Sequence, residues 1–505
     1  MPRKRGTRVF NCKIYDLTND MSTLRRLFRN TSVLIIANAI QPVLSFYLVV
    51  QISRILNVDG FGAYSTIFNY QAIFQIFAAF GLKNLLTRNV AQQPGEIWRS
   101  LWHGSLVVLP ISILSLGALI ALTAALDYGA LVLWATIIVS LSLLAAGLID
   151  VCEGVLAGIE RLHIVGYSAV LENIFRVGLS LIALARGHGL LALVWIFVAS
   201  RFIKAVFYFW YIHRHVAPFS IRNVRYDWAF ARQLLRQARV FALTMMCVTV
   251  YWKVDISILS KVRGLDDVGL YSAAYRFLML ALVVVDSFVN SLFPIISNYF
   301  HAASSGGRAG GQFELACKKG LQLLLVLTLP LALTLSLLAD QIILLIYGAK
   351  YAGAISVLRI LIWVVVPYAA SQIFAYALVA SNNQRYDLLV NAVSMAASIV
   401  LNWFLIDRFG YMGAAVAAVI SIQIYVALQL PFVFPKVLKF DGKKLWLGAI
   451  KVFAAAGLMA GFILTFSQVK IWFLLPLSGL IYIISLLVVR AFSRQDLMLA
   501  MRVLK

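Results

Sequence analysis

Acidic residues are scarce in this chain, as are cysteines, metal-spaced histidines and nucleotide-binding loops. Asp and Glu total 20 against 44 Lys and Arg in 505 residues, a net charge of +24, and charged residues make up only 13% while hydrophobic ones make up 62%. So little polar surface cannot cover a soluble globule of this length, so the positive balance does not indicate nucleic-acid binding; the chain belongs in a bilayer. Cys12, Cys152, Cys247 and Cys317 are scattered and suggest no disulfide framework. Of His103, His163, His188, His213, His215 and His301, only His213 and His215 lie close together, in a loop where solvent exposure is the plain reading, so no metal is expected. There is no GxxxxGK[ST] loop, and GHGLLA at Gly187 joins two apolar runs rather than a strand and a helix, so no nucleotide cofactor is expected. The first apolar run carries Asn38, Gln41 and Pro42 but no carboxylate between Thr31 and Gln51.

What the chain does contain is apolar runs. Fourteen are long enough to cross a hydrocarbon core as helix, which predicts an all-α polytopic membrane protein. Residues 1–20 have no apolar core and no cleavage-like site, so they do not form a secretory signal; the amphipathic MSTLRRLFRN starting at Met21 leads into the first helix. LTRNVAQQPGEIWRS, between Arg88 and Arg99, is expected to lie along the membrane interface. SSGGRAGG, from Ser304 to Gly311, is expected to be a flexible loop.

The runs repeat. DGFGAYST at Asp59 returns as DDVGLYSA at Asp266, so that Gly62 falls on Gly269, Tyr64 on Tyr271 and Ser65 on Ser272. Farther along, LAGIER at Leu156 meets VASNNQ at Val379, and GHGLLAL at Gly187 meets GYMGAAV at Gly410. Two echoes in one order imply two related halves, the mark of transporter folds whose substrate site lies between repeats. The expected organisation is a basic tail (1–30), a six-helix bundle (31–213), a basic linker (214–238), a second six-helix bundle (239–433) and two extra helices with a tail (434–505). With the N-terminus cytoplasmic, inside connections and tails hold 30 of the 44 Lys and Arg, outside connections 7 and helices 7. The positive-inside rule then puts both termini in the cytoplasm.

Charges within helices are costly in lipid and should face a cavity or a partner. Glu172 and Arg176 are four apart, and the plain expectation is an intrahelical ion pair. Asp255 is expected to pair with Lys253 or Arg276, and Arg359 to snorkel to the interface. In the repeat, Asn69 lies opposite Arg276 and Gln51 opposite Asp255.

ILNVDGFGAYS, FGLKNLLTRNVA, YWKVDISIL with DDVGLYSAAYRF, LIYGAKYAGAISVLRIL and IDRFGYMGAAVAAVIS, in this order between about residues 22 and 430, resemble the polysaccharide flippases of bacterial envelope synthesis, the O-antigen and exopolysaccharide exporters of the multidrug/oligosaccharidyl-lipid/polysaccharide exporter superfamily. The resemblance implies two six-helix bundles around a central cavity, working by alternating access in the inner membrane. The substrate would be an undecaprenyl-diphosphate-linked oligosaccharide, with a polysaccharide polymerase and a chain-length regulator as further partners. It implies Lys83, Arg88, Arg176, Lys253 and Arg276 as anion contacts, and Gln51, Asn69, Tyr70 and Tyr275 as sugar contacts. Asp255, Asp286 and Glu172 would serve ion coupling or helix pairing. A peptidoglycan lipid-precursor flippase shares the fourteen-helix plan. A cation-coupled drug exporter of the superfamily would be expected to place a carboxylate in its first helix. A membrane glycosyltransferase or ligase would need a large outside loop, whereas the outside connections here run to roughly 4–15 residues, so the chain is not expected to be an enzyme.

Overall fold

The computed structural model describes residues 20–93, 97–216, 227–304, 310–381, 383–434, 442–466 and 469–489. Residues 1–19, most of the Ser304–Gly311 loop and much of the expected linker lie outside these. The described chain is helical throughout: α1 (Asp20–Ala79), α2 (Leu82–Gln92), α3 (Ile97–Leu126), α4 (Ala130–Ser140), α5 (Ser142–Gly158), α6 (Leu162–Ala185), α7 (Leu190–His215), α8 (Trp228–Val262), α9 (Leu265–Ser304), α10 (Gly310–Leu337), α11 (Ala339–Ile346), α12 (Gly353–Leu361), α13 (Val365–Ala380), α14 (Gln384–Val433), α15 (Gly442–Thr465) and α16 (Ile471–Val488).

Among the described residues, twelve helical stretches are long and apolar enough to cross a membrane. Two are too long for one crossing. Ile40–Gln92 has 53 residues, about 80 Å as one helix against a core of about 30 Å; Arg385–Val433 has 49. Each is broken inside, at Asn57 (φ 60°) and at Gly410 (φ 56°). Counting each broken stretch twice gives the fourteen crossings expected.

The breaks show the repeat in the backbone. Asn57 and Gly264, 207 residues apart, both take left-handed φ, as do Gly187 and Gly410, 223 apart. A third pair joins them: Tyr128-Gly129 and Tyr347-Gly348, 219 apart, with Gly129 and Gly348 also left-handed. All six turns lie at alternate helix connections and hence at one end of the molecule, the turn end; the opposite end is the loop end.

At the turn end the halves are tied together. Arg54 donates to the Ile346 and Leu345 carbonyls (2.8 and 3.0 Å), Lys350 to Asn57 Oδ1 (2.8 Å) and Tyr351 to the Ser53 carbonyl (2.9 Å). Lys261 donates to the Leu126 carbonyl (2.7 Å), and Tyr128 shares a bond with Ser260 (2.8 Å). Deeper in, Asn69 Nδ2 reaches the Lys253 carbonyl (2.9 Å) and Ser257 Oγ (3.0 Å). One buried apolar core runs through both halves.

At the loop end the second half of the expected 214–238 linker is helix, the amphipathic start of α8. Its Ala231, Leu234 and Ala238 pack into a second core with α2, α5 and α7. Asp227 caps α8, accepting from the Phe230 N–H (3.1 Å) and from Arg99 (2.6 Å), while His103 Nε2 accepts the Asp227 N–H (2.9 Å). The amide bond from Phe230, seconded by Arg99, holds the Asp227 carboxyl below the usual aspartate value of 3.8. A depressed carboxyl contributes its stabilisation in full above that value and loses it as pH falls through the folded one. Exchange protection of the Phe230 amide should therefore be constant down to pH 5 and fall only below pH 3.8. Loss of protection between pH 7 and 5 would mean that the cap does not anchor α8.

Candidate functional site

In the first half, α5, α6 and α7 build a chain of alternating charge. Glu153 on α5 takes Lys83 from α2 (2.6 Å) and Lys204 from α7 (3.2 Å). It also accepts from the Tyr208 hydroxyl (3.1 Å), which shares a bond with Ser168 (2.6 Å). Lys204 reaches on to Glu172 (3.1 Å), and Arg201, one turn earlier on α7, lies 3.6 Å from the same carboxylate. The expected Glu172–Arg176 pair does not form. Arg176 instead donates to Asn173 Oδ1 (3.0 Å) and Ser45 Oγ (3.2 Å), tying α6 to α1. An exposed i,i+4 pair contributes only about 0.2–0.5 kcal/mol, so tertiary partners displace it easily.

The aromatic ring of Phe197 joins this chain to Arg176: Arg201 lies 5.2 Å from its centroid and Arg176 5.8 Å. In the second half, α8 and α9 carry Lys253 and Arg276. Lys253 sits 5.7 Å from the Tyr275 ring. Arg276 is half-buried, without a hydrogen bond or ion pair among the described residues, and lies within electrostatic range of both Arg176 and Lys253. Three bases thus come from both halves, none in an ion pair among the described residues, although Glu172 lies within electrostatic range of Arg176 and Asp255 of Lys253. Mutual repulsion of this kind costs stability, and a ligand anion relieves it.

Asp255 corrects a second expectation. It pairs with neither Lys253 nor Arg276; one oxygen accepts from the Tyr271 hydroxyl (2.5 Å) and the other from the Ile256 N–H (2.7 Å). The carboxylate does pin α8 to α9, through a phenol from the repeat motif rather than a base. Asp286 likewise accepts from a phenol, Tyr368 on α13 (2.7 Å).

Most of the remaining candidates have partners of their own. Asn69 donates from Nδ2 to α8 while its Oδ1 is buried with no partner, and Tyr70 bonds Tyr128 (2.9 Å). The Tyr275 hydroxyl donates to the Trp252 carbonyl (3.0 Å). Gln51 is half-buried on α1 with no hydrogen bond among the described residues. Lys83 is held by Glu153. Arg88 is at the loop end, donating to Gln237 (3.3 Å) beside an amide-lined cavity of about 200 Å³ between α2 and α8. Arg359, about half-exposed, lies 4.0 Å from Asp340. Sequence reasoning missed Arg201, Lys204 and Glu153 as members of one network. The signal was there: Arg201 and Lys204 sit three apart in the middle of an apolar run, where a base is costly without a partner.

Comparison with known proteins agrees with this architecture. Residues 27–300 match the polysaccharide biosynthesis protein family, and residues 241–404 match MatE. A probable low-salt glycan biosynthesis flippase, Agl15 of Haloferax volcanii, is 23% identical over 447 residues, 86% of this chain and 90% of its own length. A putative O-antigen transporter of Shigella flexneri is 23% identical over 190 residues, 37% of this chain and 43% of its own. Among solved structures, the lipid II flippase MurJ in an inward closed conformation superposes with a TM-score of 0.72 at 16% identity, over 92% of this chain and 99% of that one. An inward-facing MATE multidrug resistance transporter of the MOP superfamily gives 0.67 at 16% identity, over 78% and 93%. This multi-pass membrane chain belongs to the polysaccharide biosynthesis protein family, within the multidrug/oligosaccharidyl-lipid/polysaccharide exporter superfamily.

Proposed function

We propose that this chain is a flippase that moves an undecaprenyl-diphosphate-linked oligosaccharide across the bacterial inner membrane by alternating access. The observation that carries the reading is that Arg176 of one half and Lys253 and Arg276 of the other are half-buried bases on membrane-spanning helices, none of them in an ion pair among the described residues. A diphosphate crossing hydrocarbon needs a cationic, hydrogen-bonding station, and guanidinium is the group whose geometry matches phosphate oxygens. Contributions from both halves matter, because an anion bound between them is sensed by each as they rock. The names of the glycan flippase and O-antigen transporter relatives support a saccharide cargo.

On this reading the loop end is cytoplasmic, as the distribution of Lys and Arg requires, and both termini lie on that side. The ladder from Arg54 to Lys350 is then the closed outer gate. Lys83 and Arg88 belong to the cytoplasmic rim, where they meet the incoming headgroup before the deeper bases do. Asn69, bonded to the Lys253 carbonyl and Ser257, joins the halves beneath that gate.

The test is Arg276→Ala in the native host. Surface polysaccharide should fall at least about tenfold, the effect of losing one charge-assisted bond to phosphate, with protein level unchanged and lipid-linked units accumulating in the membrane. Polysaccharide at the parental level would remove Arg276 from the site.

A further inference from the structure

The two halves surround their carboxylates differently. In the first half Glu153 and Glu172 sit in ion pairs. In the second half Asp286 and Asp387 have no ion-pair partner among the described residues and are met by phenols and amides. Tyr368 donates to Asp286 Oδ1 (2.7 Å), and one turn along α9 Asn290 Oδ1 accepts from Tyr376 (2.6 Å), two turns along α13 from Tyr368. On α14, Asn391 donates to Asp387 Oδ2 (3.2 Å) and accepts from Tyr425 (3.3 Å). Adjacent residues of α8 join the two groups: the Trp252 ring stands edge-on to Tyr368 (5.5 Å) and the Tyr251 ring lies 5.9 Å from Tyr425. Asp286 is half-buried and Asn290 exposed, on a membrane-spanning helix where such groups face water rather than lipid. Asp387 Oδ1 is buried with no hydrogen-bond partner.

Rings flanked by acceptors that are already aligned by their own donors are what a sugar requires: apolar C–H faces stack on aromatics, and vicinal hydroxyls donate to carboxylate and amide oxygens, which keep spare lone pairs. Asp286 lies ten residues beyond Arg276 on α9, about 15 Å along the axis and within a quarter turn of it, a span that fits a diphosphate and the first sugars attached to it. We propose that this aromatic–amide–carboxylate patch is a saccharide subsite, adjoining the phosphate station, and that it takes neutral or amino-bearing sugars and turns away acidic ones. Two carboxylates with no base beside them repel a uronate. This assignment rests on the flippase reading above.

The experiment uses the full chain in nanodiscs with farnesyl diphosphate as probe, alongside the same variants in the native host. Asp286→Asn and Tyr425→Phe should bind farnesyl diphosphate as the parent does, yet export about tenfold less polysaccharide; Arg276→Gln should lose both. The retained binding shows that the variants are folded. Export at the parental level by both variants, loss of farnesyl diphosphate binding by Asp286→Asn, or a native repeat unit whose first sugars are acidic would overturn the subsite. A parent chain that binds no farnesyl diphosphate would instead sink the flippase reading itself, and the subsite with it.

Discussion

Glu153→Gln should destabilise the protein by about 3 kcal/mol, the low end of the range for breaking a buried ion pair. Glu153 and Lys204 have side chains only 9% and 7% exposed, so removing the carboxylate leaves a buried ammonium with half its compensation. The loss stays at the low end for two reasons. Lys204 keeps Glu172 at 3.1 Å, and Lys83, 44% exposed, can turn to water. The amide that replaces the carboxylate can still accept from Tyr208, so the loss is of charge and not of shape. Thermal unfolding of the detergent-solubilised variant should occur several degrees lower. The double variant Glu153→Gln/Lys204→Met should recover part of the loss, because the buried ammonium goes with its partner while Glu172 keeps Arg201 at 3.6 Å. If the single variant unfolds with the parent, or the double variant unfolds no later than the single, the network does not hold α5 to α7.

That network marks where sequence reading stops. The fourteen crossings were legible because each is a long apolar run, and the two halves because the turn before Tyr64 returns before Tyr271. The Tyr128-Gly129 and Tyr347-Gly348 pair escaped because so few residues are shared and its spacing, 219, differs from 207 and 223; insertions between echoes blur a fixed period. Within the site, the bases were visible as intramembrane charges, but their partners were not. Glu172 had Arg176 on its own helix and chose Lys204 on the next, since helix packing, which no local spacing encodes, decides which charge is nearest. Asp255 shows the same limit. Its acceptor could be satisfied by any donor that α9 brought across, and that was a tyrosine. The saccharide patch was silent for a further reason: Asp387, Asn391 and Tyr425 are ordinary residues singly and gain meaning only where α8, α13 and α14 meet.

On the proposed flippase reading, Gly62→Val should hold the outer gate open. Gly62 and Gly269 are repeat counterparts, and in the structure they pack against each other's turn. A Cβ on Gly62 would overlap the Leu265 carbonyl oxygen and lie 3.1 Å from the Gly269 nitrogen, and one on Gly269 would overlap the Val58 carbonyl. Both obstacles are backbone, which cannot rotate away, so α1 and α9 must separate. Helices in lipid are held by close van der Waals packing rather than by a hydrophobic force, which makes small-residue contacts of this kind decisive. On the proposed alternating-access reading the overlap is relieved as the gate opens, so it shifts the population: about 3 kcal/mol against closure is a factor on the order of 150 in the equilibrium. Ser53, buried under the Tyr351 bond, is the reporter. In a background without native cysteines, Ser53→Cys should resist a membrane-impermeant maleimide added from outside and become reactive once Gly62→Val is added, with surface polysaccharide reduced at least about tenfold. On that reading both effects follow from one cause, because a gate that cannot close cannot return the proposed phosphate station to the cytoplasmic side. A Ser53→Cys/Gly62→Val chain that stays unlabelled and exports at the parental level would show that the two turns close without this contact.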